Sequence, residues 1–145
     1  MNEYKYEEIE TGHKESFTVT VTEDMMKSFR DITGDINPLH NDEDYAVSQG
    51  HSGRVVYGML TASLLSTLAG VYLPGKRSLI QEVKIKFAKP VYIGDELTVE
   101  GVVEEKHDAF SLIVLKVTIW NRNKDKVCRA TMRVGVESDG QTSTE

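Results

Sequence analysis

The sequence has 145 residues, of which 39% are hydrophobic and 28% charged, a balance typical of one globular domain with its own core. The net charge of −6 argues against a nucleic-acid partner, because phosphate binding requires a concentrated basic face. No apolar run reaches the roughly 18 residues that cross a membrane, and the N-terminus lacks the apolar core of a signal peptide. We therefore expect a cytoplasmic protein without membrane contacts. The single cysteine, Cys128, excludes an intrachain disulfide.

The chain begins with a polar segment, a strand and a helix. Residues 1–15 are polar and charged and form a lead-in to the domain. Residues 16–22 alternate apolar and polar side chains, which predicts a half-buried strand. Thr22 is placed to cap the helix that follows, and Gly34 to end it. The helix carries an apolar stripe at i, i+4 and i+7, formed by Met25, Phe29 and Ile32.

An uncharged helix is predicted from residue 59 to residue 72. Before it, Asn41 or Asp42 is expected to cap a short helix that ends at Gly50. The stretch 59–72 is apolar with several small residues, as expected of a buried helix. Its N-terminal end, at Gly58, presents unpaired N–H groups and a partial positive charge, which would stabilise a developing oxyanion.

The rest of the chain is predicted to form strands. Four segments show strand patterns: residues 78–88, 97–104, 112–120 and 127–136. Residues 112–120 are apolar on both faces for part of their length, which is typical of a central strand or of a strand at a subunit contact. Residues 121–125 form a turn, so the last strands are expected to pair as antiparallel hairpins. The polar tail, residues 138–145, is predicted to be disordered.

These elements predict one α+β domain over residues 16–137. About five strands and one long uncharged helix imply a curved antiparallel sheet that covers the helix. An open sheet leaves edge strands, and the apolar character of residues 112–120 predicts pairing with a second copy. We therefore expect a homodimer.

The segment Gly34-Asp35-Ile36-Asn37-Pro38-Leu39-His40 places a carboxylate and an imidazole five positions apart. Pro38 fixes its own φ and favours an extended residue before it, so we predict a stiff turn and no regular helix between Asp35 and His40. An isolated Asp and His at this spacing usually serve as a helix cap and a surface loop residue. The helix end at Gly58 favours the alternative, an acid/base pair beside an anion-stabilising group.

Other chemistries fit the sequence poorly. A calcium loop beginning at Asp35 would need glycine where His40 stands, and no H-x-x-x-H pair is present for zinc, so we predict no metal site. The chain has no G-x-S-x-G motif, and Cys128 lies on the inward face of a strand, as a packing residue does. Ser66 either bonds to its own helical turn or faces the site. A basic stripe is either a solvated strand face or a set of contacts for ligand phosphates, and consists of Lys84, Lys86 and Lys89.

Three stretches resemble the MaoC-like dehydratases, and among them the short single-domain (R)-specific enoyl-CoA hydratases. They are Gly34 to His40, Gly58 to Ser66 and Phe87 to Asp95, and the similarity extends from about Phe17 to Val136. The resemblance implies a hot dog fold, in which the sheet wraps the long central helix, and a homodimer with each acyl tunnel at the subunit interface. It also implies reversible syn addition of water to a trans-2-enoyl thioester of CoA or of acyl carrier protein, with no cofactor.

By this resemblance, Asp35 and His40 match the catalytic pair, which activates the water and moves a proton to the α-carbon. Gly58 matches the glycine whose N–H binds the thioester carbonyl. Asn37 matches a residue that supports the pair, and Ser66 matches a helix serine near it.

Two positions depart from the family pattern. Tyr57, a supporting residue beside Gly58, stands where relatives often carry His, and one hypothesis is that its bulky ring narrows the acyl entrance. Asn41 replaces a commonly apolar residue directly after His40.

Two other functions stay open at this point. A hot dog thioesterase usually carries its carboxylate on the long helix, and residues 58–72 contain none. A non-catalytic acyl-thioester-binding protein would have the same fold, since fold alone does not fix function. Such a protein would not need the pair formed by Asp35 and His40.

Overall fold

The computed structural model describes residues 1–140; the end of the predicted disordered tail, residues 141–145, lies outside them. The strands are β1 (Lys14–Thr20), β2 (Ser78–Phe87), β3 (Glu96–His107), β4 (Leu112–Trp120) and β5 (Lys126–Val136). They form one antiparallel sheet in the order β1-β3-β4-β5-β2. The α-helices of the described residues are α1 (Glu23–Thr33), α2 (Pro38–Asn41), α3 (Glu43–Ser48) and α4 (Gly58–Thr67), the last continued by a π-helical turn over Leu68–Tyr72.

The long helix that the sequence predicts is present and packs across the sheet. Leu64, Leu65 and Leu68 are buried in one core with inward side chains of β3, β4 and β5. Gly101 of β3 allows a close approach, because a Cβ at this position would lie 2.7 Å from Cδ2 of Leu68. A larger residue there would displace the buried side chain of Leu68.

The predicted strand alternation is confirmed in β3 and β5. Leu97 and Val99 of β3 are buried between partly exposed polar neighbours. Ala130 and Met132 of β5 are buried in the same way. β1 begins earlier than predicted, and Ile9, in the polar lead-in, is fully buried, so residues before the first strand also contribute to the core.

Helix α1 has the predicted limits. Oγ1 of Thr22 accepts a hydrogen bond from a backbone N–H of the first turn at 3.2 Å, and Gly34 follows the last residue in a left-handed conformation with φ 73°. The predicted apolar stripe is wrong at Ile32, which is 82% exposed. The face of α1 that packs on the core instead carries Met26 and Phe29.

The predicted absence of helix between Asp35 and His40 is wrong in the second half of that segment. Pro38 is the first residue of α2, and its fixed φ suits the helix there. Its missing N–H costs no hydrogen bond, because the N–H at this position has no partner within the helix. Oδ1 of Asn37 caps this turn by accepting a backbone N–H at 2.9 Å. Of the two candidate caps for the next helix, Asp42 is the one that caps α3.

The strand order also corrects the prediction about the subunit contact. β4 lies in the centre of the sheet, between β3 and β5, which is where a strand with two apolar faces is expected. Both of its edges are therefore occupied and are not available to a second copy. The free edges belong to β1 and β2, and β2 exposes large apolar side chains, including Val83 and Phe87.

Candidate active site

The Asp35 carboxylate lies in the loop between α1 and α2. Gly34 turns the chain into this loop with a positive φ that glycine adopts without strain. Oδ1 of Asp35 accepts the Asn37 N–H at 3.1 Å, and the Asp35 N–H donates to Oγ1 of Thr33 at 3.2 Å. Asp35 is exposed, so its carboxylate is accessible to a ligand.

The ring of His40 is oriented by a backbone carbonyl. Nδ1 of His40 lies 2.7 Å from the carbonyl oxygen of Val55. Because a carbonyl only accepts, Nδ1 carries the hydrogen, and the neutral ring keeps a lone pair on Nε2. Nε of Arg54 donates to the His40 backbone oxygen at 2.8 Å, so ring and backbone are both anchored to the segment before α4. A ring held in this way can accept a proton at Nε2.

Tyr57 lies under both members of the pair. It is 2% exposed, and its ring stands between those of Phe29 and His40, with centroid distances of 4.7 Å and 4.3 Å. Its hydroxyl donates to the backbone oxygen of Asp35 at 2.6 Å. The ring thus forms part of the floor of the site, which differs from the expected narrowing of an acyl entrance, because the hydroxyl is held by a carbonyl beneath the loop.

Gly58 is the first residue of α4. The N–H of a first helical residue has no partner within its own helix. Within residues 1–140 this N–H also has no acceptor elsewhere. A Cβ on Gly58 would lie 3.3 Å from Cε1 of Phe87, so glycine keeps the approach to the N–H open.

These groups meet at one open cavity of about 1000 Å³. Asn37 lies outside its lining. The polar or backbone groups at the cavity come from Thr33, Asp35, His40, Tyr57, Gly58, Ser63 and Ser66. Its apolar walls come mainly from α4 and β2 and include Leu65, Ile80, Val83, Ile85 and Phe87. A few polar groups among apolar walls suit a ligand that combines a reactive polar end with a hydrocarbon chain.

Sequence reasoning did not identify the β2 wall, and it grouped lysines that the structure separates. The alternation in β2 indicates which side chains share a face, but not that they border the site. Lys89 lines a smaller cavity of about 290 Å³ beside His40 and Gly58. Lys84 and Lys86 lie on a different surface of the sheet.

Cys128 is a packing residue, as predicted. It is 1% exposed within β5, and burial raises the pKa of its thiol to about 11. Among residues 1–140, no group of three or more His, Cys, Asp or Glu side chains is close enough to hold a metal ion. In the same part of the chain, no helix combines the length and the apolar character needed to cross a membrane.

An antiparallel sheet packed on one central helix, with the site at the N-terminal end of that helix, defines a hot dog protein. The sequence pattern of the MaoC like domain matches residues 5–123. The chain therefore belongs to the MaoC-like family.

Named proteins of this family are similar to the chain over most of its length. The (R)-specific enoyl-CoA hydratase of Rhodospirillum rubrum is 36% identical over 105 residues, which cover 70% of this chain and 73% of that protein. The (R)-specific enoyl-CoA hydratase of Aeromonas caviae is 36% identical over 114 residues, which cover 79% and 85%. Among solved structures, the R-hydratase PhaJ1 from Pseudomonas aeruginosa, in its unliganded form, has a TM-score of 0.87 at 28% identity and covers 93% of this chain and 86% of that one. The predicted family and hot dog fold are confirmed.

Proposed function

We propose that this protein is an (R)-specific enoyl-CoA hydratase, a hydro-lyase that adds water reversibly to a trans-2-enoyl thioester or removes it from the 3-hydroxy counterpart. The observation that carries the proposal is the meeting of three groups at one cavity: the Asp35 carboxylate, the His40 ring and the N-terminal end of α4 at Gly58. Water addition requires a base, a proton donor and stabilisation of an enolate-like charge, and these groups can supply all three.

In this mechanism the thioester carbonyl accepts the Gly58 N–H. The negative charge that develops on the carbonyl oxygen then lies at the positive end of α4, where it is stabilised. Binding at this point also fixes the C2=C3 double bond relative to the acid/base pair.

The Asp35 carboxylate and Nε2 of His40 hold the water. Each accepts one of its hydrogens, and one of the two takes a proton while the water oxygen bonds to C3. That proton is returned to C2 as the double bond becomes a single bond, so water is consumed and no second product forms. Dehydration is the same path in reverse.

The acyl chain occupies the apolar part of the cavity. Side chains from α4 and β2 form this wall, and β2 is an edge strand with exposed apolar residues. We propose a homodimer in which a second copy lies against this edge and covers the open side of the cavity. The acyl tunnel would then lie at the subunit interface.

The test is one assay with crotonyl-CoA that follows 3-hydroxybutyryl-CoA and free thiol together. We expect 3-hydroxybutyryl-CoA to form without release of free thiol. Thiol release without hydration would instead indicate a thioesterase, and binding without either product would indicate an acyl-thioester-binding protein. The same assay with crotonyl-acyl carrier protein compares the two carriers. A cytoplasmic location stays a prediction.

A further inference from the structure

Tyr57 contacts both members of the proposed pair through different atoms. Its hydroxyl donates to the backbone oxygen of Asp35 at 2.6 Å, and its ring lies 4.3 Å from that of His40 at an angle of 31°. Because the side chain is buried, water competes little for its hydroxyl, and the hydrogen bond to Asp35 is stronger than an exposed one.

Asn41 connects this hydroxyl to the rest of the loop. Its Nδ2 donates to Oη of Tyr57 at 3.0 Å and to the backbone oxygen of Asn37 at 2.9 Å. Nη1 of Arg30 donates to Oδ1 of Asn41 at 3.1 Å, which fixes the side of the amide that donates. The backbone carbonyls of Asp35 and Asn37 are therefore both held by side chains beneath the loop.

Tyr57 and Asn41 are hydrogen-bonded to each other. An apolar residue at position 41 would leave the buried hydroxyl without this donor, and an unsatisfied buried polar group is costly. The two side chains therefore form one structural unit.

We propose that Tyr57 and Asn41 are positioning residues that act together. They fix the backbone between Asp35 and Asn37 and thereby set the place of the Asp35 carboxylate relative to His40. The expected effect on rate rests on the proposed function, whereas the expected effect on the loop does not. The loop needs such anchors because residues 34–37 lie outside any helix or strand, and a small misplacement of a catalytic group slows a reaction strongly.

The test uses two variants and their combination. Tyr57→Phe removes the hydroxyl and keeps the ring between Phe29 and His40, and Asn41→Ala removes the amide. Each is expected to lower kcat by about 10-fold to 100-fold through misplacement of the carboxylate. KM for crotonyl-CoA is expected to change by less than about threefold, because the apolar walls proposed to hold the acyl chain are unaltered. The double variant is expected to be as slow as the slower single variant, since residues of one unit are not additive.

Matched controls are Tyr45→Phe and Asn123→Ala, which change the same groups at exposed positions away from the cavity. Both are expected to keep the wild-type kcat and KM. Multiplication of the two single effects in the double variant would overturn the joint action, and unchanged kcat in Tyr57→Phe would overturn the positioning role.

Hydrogen exchange of the amides in residues 34–41 tests the same inference without relying on catalysis. Loss of one anchoring hydrogen bond is expected to speed their exchange by about tenfold in Tyr57→Phe and in Asn41→Ala, and in neither control. Unchanged exchange in both variants would overturn the proposal. If the wild-type protein hydrates no enoyl thioester, the proposed function fails, and the exchange rates alone decide whether Tyr57 and Asn41 hold the loop.

Discussion

At the scale of single residues, the carbonyl of Val55 determines the chemistry open to His40. It lies 2.7 Å from Nδ1 and so places a ring hydrogen there, which in the neutral form of the ring leaves the lone pair on Nε2. The other tautomer would direct a lone pair at the carbonyl oxygen and forfeit this hydrogen bond. A neutral His40 and the carboxylate of Asp35 are then both acceptors, which matches the two hydrogens of one water molecule.

Removal of either member of the pair should abolish most of the activity while the fold survives. Asp35→Ala and His40→Ala are each expected to lower the turnover of crotonyl-CoA by about 10² to 10⁴, the range typical of a lost acid/base group. Asp35 is exposed and His40 half-buried, and neither belongs to the core, so circular dichroism should report a folded protein. Asp44→Ala and His107→Ala, at positions away from the cavity, serve as matched controls. Near-wild-type turnover in either site variant would exclude the pair.

The arrangement of the pair also predicts the stereochemistry of addition. Asp35 and His40 lie on one short segment, and the Gly58 N–H fixes the carbonyl, so water and proton should reach the substrate from the same face. We expect syn addition, and the resemblance to (R)-specific hydratases further predicts the (R)-3-hydroxyacyl product. Chiral analysis of the product, with a reaction in deuterated water to place the added hydrogen, measures both. An (S) product or anti addition would contradict the proposed geometry.

At the scale of secondary-structure elements, the thiol of Cys128 reports how well β5 is buried. Burial raises the pKa of this thiol to about 11 from an ordinary value of about 9. At pH 8 most of the thiol is protonated in both the folded and the unfolded chain, but the thiolate fraction is about 100-fold smaller in the folded one. Between pH 9 and pH 11 the unfolded chain loses the proton first, so the stabilising contribution is lost as the pH rises.

Two measurements check this effect of β5. At pH 8 the native protein should react with the disulfide reagent dithiobis(nitrobenzoate) at least about 100-fold more slowly than the protein in urea. Burial lowers the thiolate fraction of Cys128 and also keeps the reagent away from its sulfur. The urea midpoint should fall between pH 9 and pH 10.5, and should fall less in Cys128→Ala. Rapid labelling of the native protein would show that β5 does not enclose the thiol.

Local sequence patterns predict the helices and strands well. They do not predict the order of the strands in the sheet, because that order depends on pairing between distant segments. The alternation in β3 and β5 follows from burial of one face, so it is visible in the sequence. Helix α4 is visible instead as an uncharged apolar stretch. The position of a strand within the sheet is not local. β2 and β4 both pair with β5, but only β4 also pairs with β3. This second pairing makes β4 a central strand, whereas β2 is an edge strand. Proline likewise disrupts the interior of a helix but is favoured at its first position, and Pro38 occupies the first position of α2.

Some residues of the candidate site can likewise be predicted from the sequence, and others depend on contacts between distant segments. Asp35, His40 and Gly58 stand in short motifs whose chemistry is visible from residue types and spacing. The role of Tyr57 is not, because its hydroxyl bonds to a backbone oxygen 22 positions earlier in the chain. The contribution of Val83 to the cavity wall depends in turn on where β2 lies relative to α4.

At the scale of the whole molecule, one edge of the sheet is left open by β2. This strand of 10 residues has β5 on one side only, so the backbone groups of its other side are unpaired. Val83 is 40% and Phe87 50% exposed along it, and both also line the cavity. An edge with exposed apolar residues is a strong candidate for pairing with another chain. A second copy along β2 would bury these residues and close the site in one step.

The dimer can be tested at this edge. Light scattering of the wild-type protein should give about twice the chain mass of 16.3 kDa. Val83→Asp places a charge where the apolar contact is expected, and an unpaired charge is costly to bury, so this variant should have the mass of a monomer. Thr18→Asp introduces the same charge at an exposed position of β1, the opposite edge, and should remain a dimer. A dimeric Val83→Asp protein would place the contact elsewhere, and a wild-type monomer with full turnover would show that the cavity functions without a second copy.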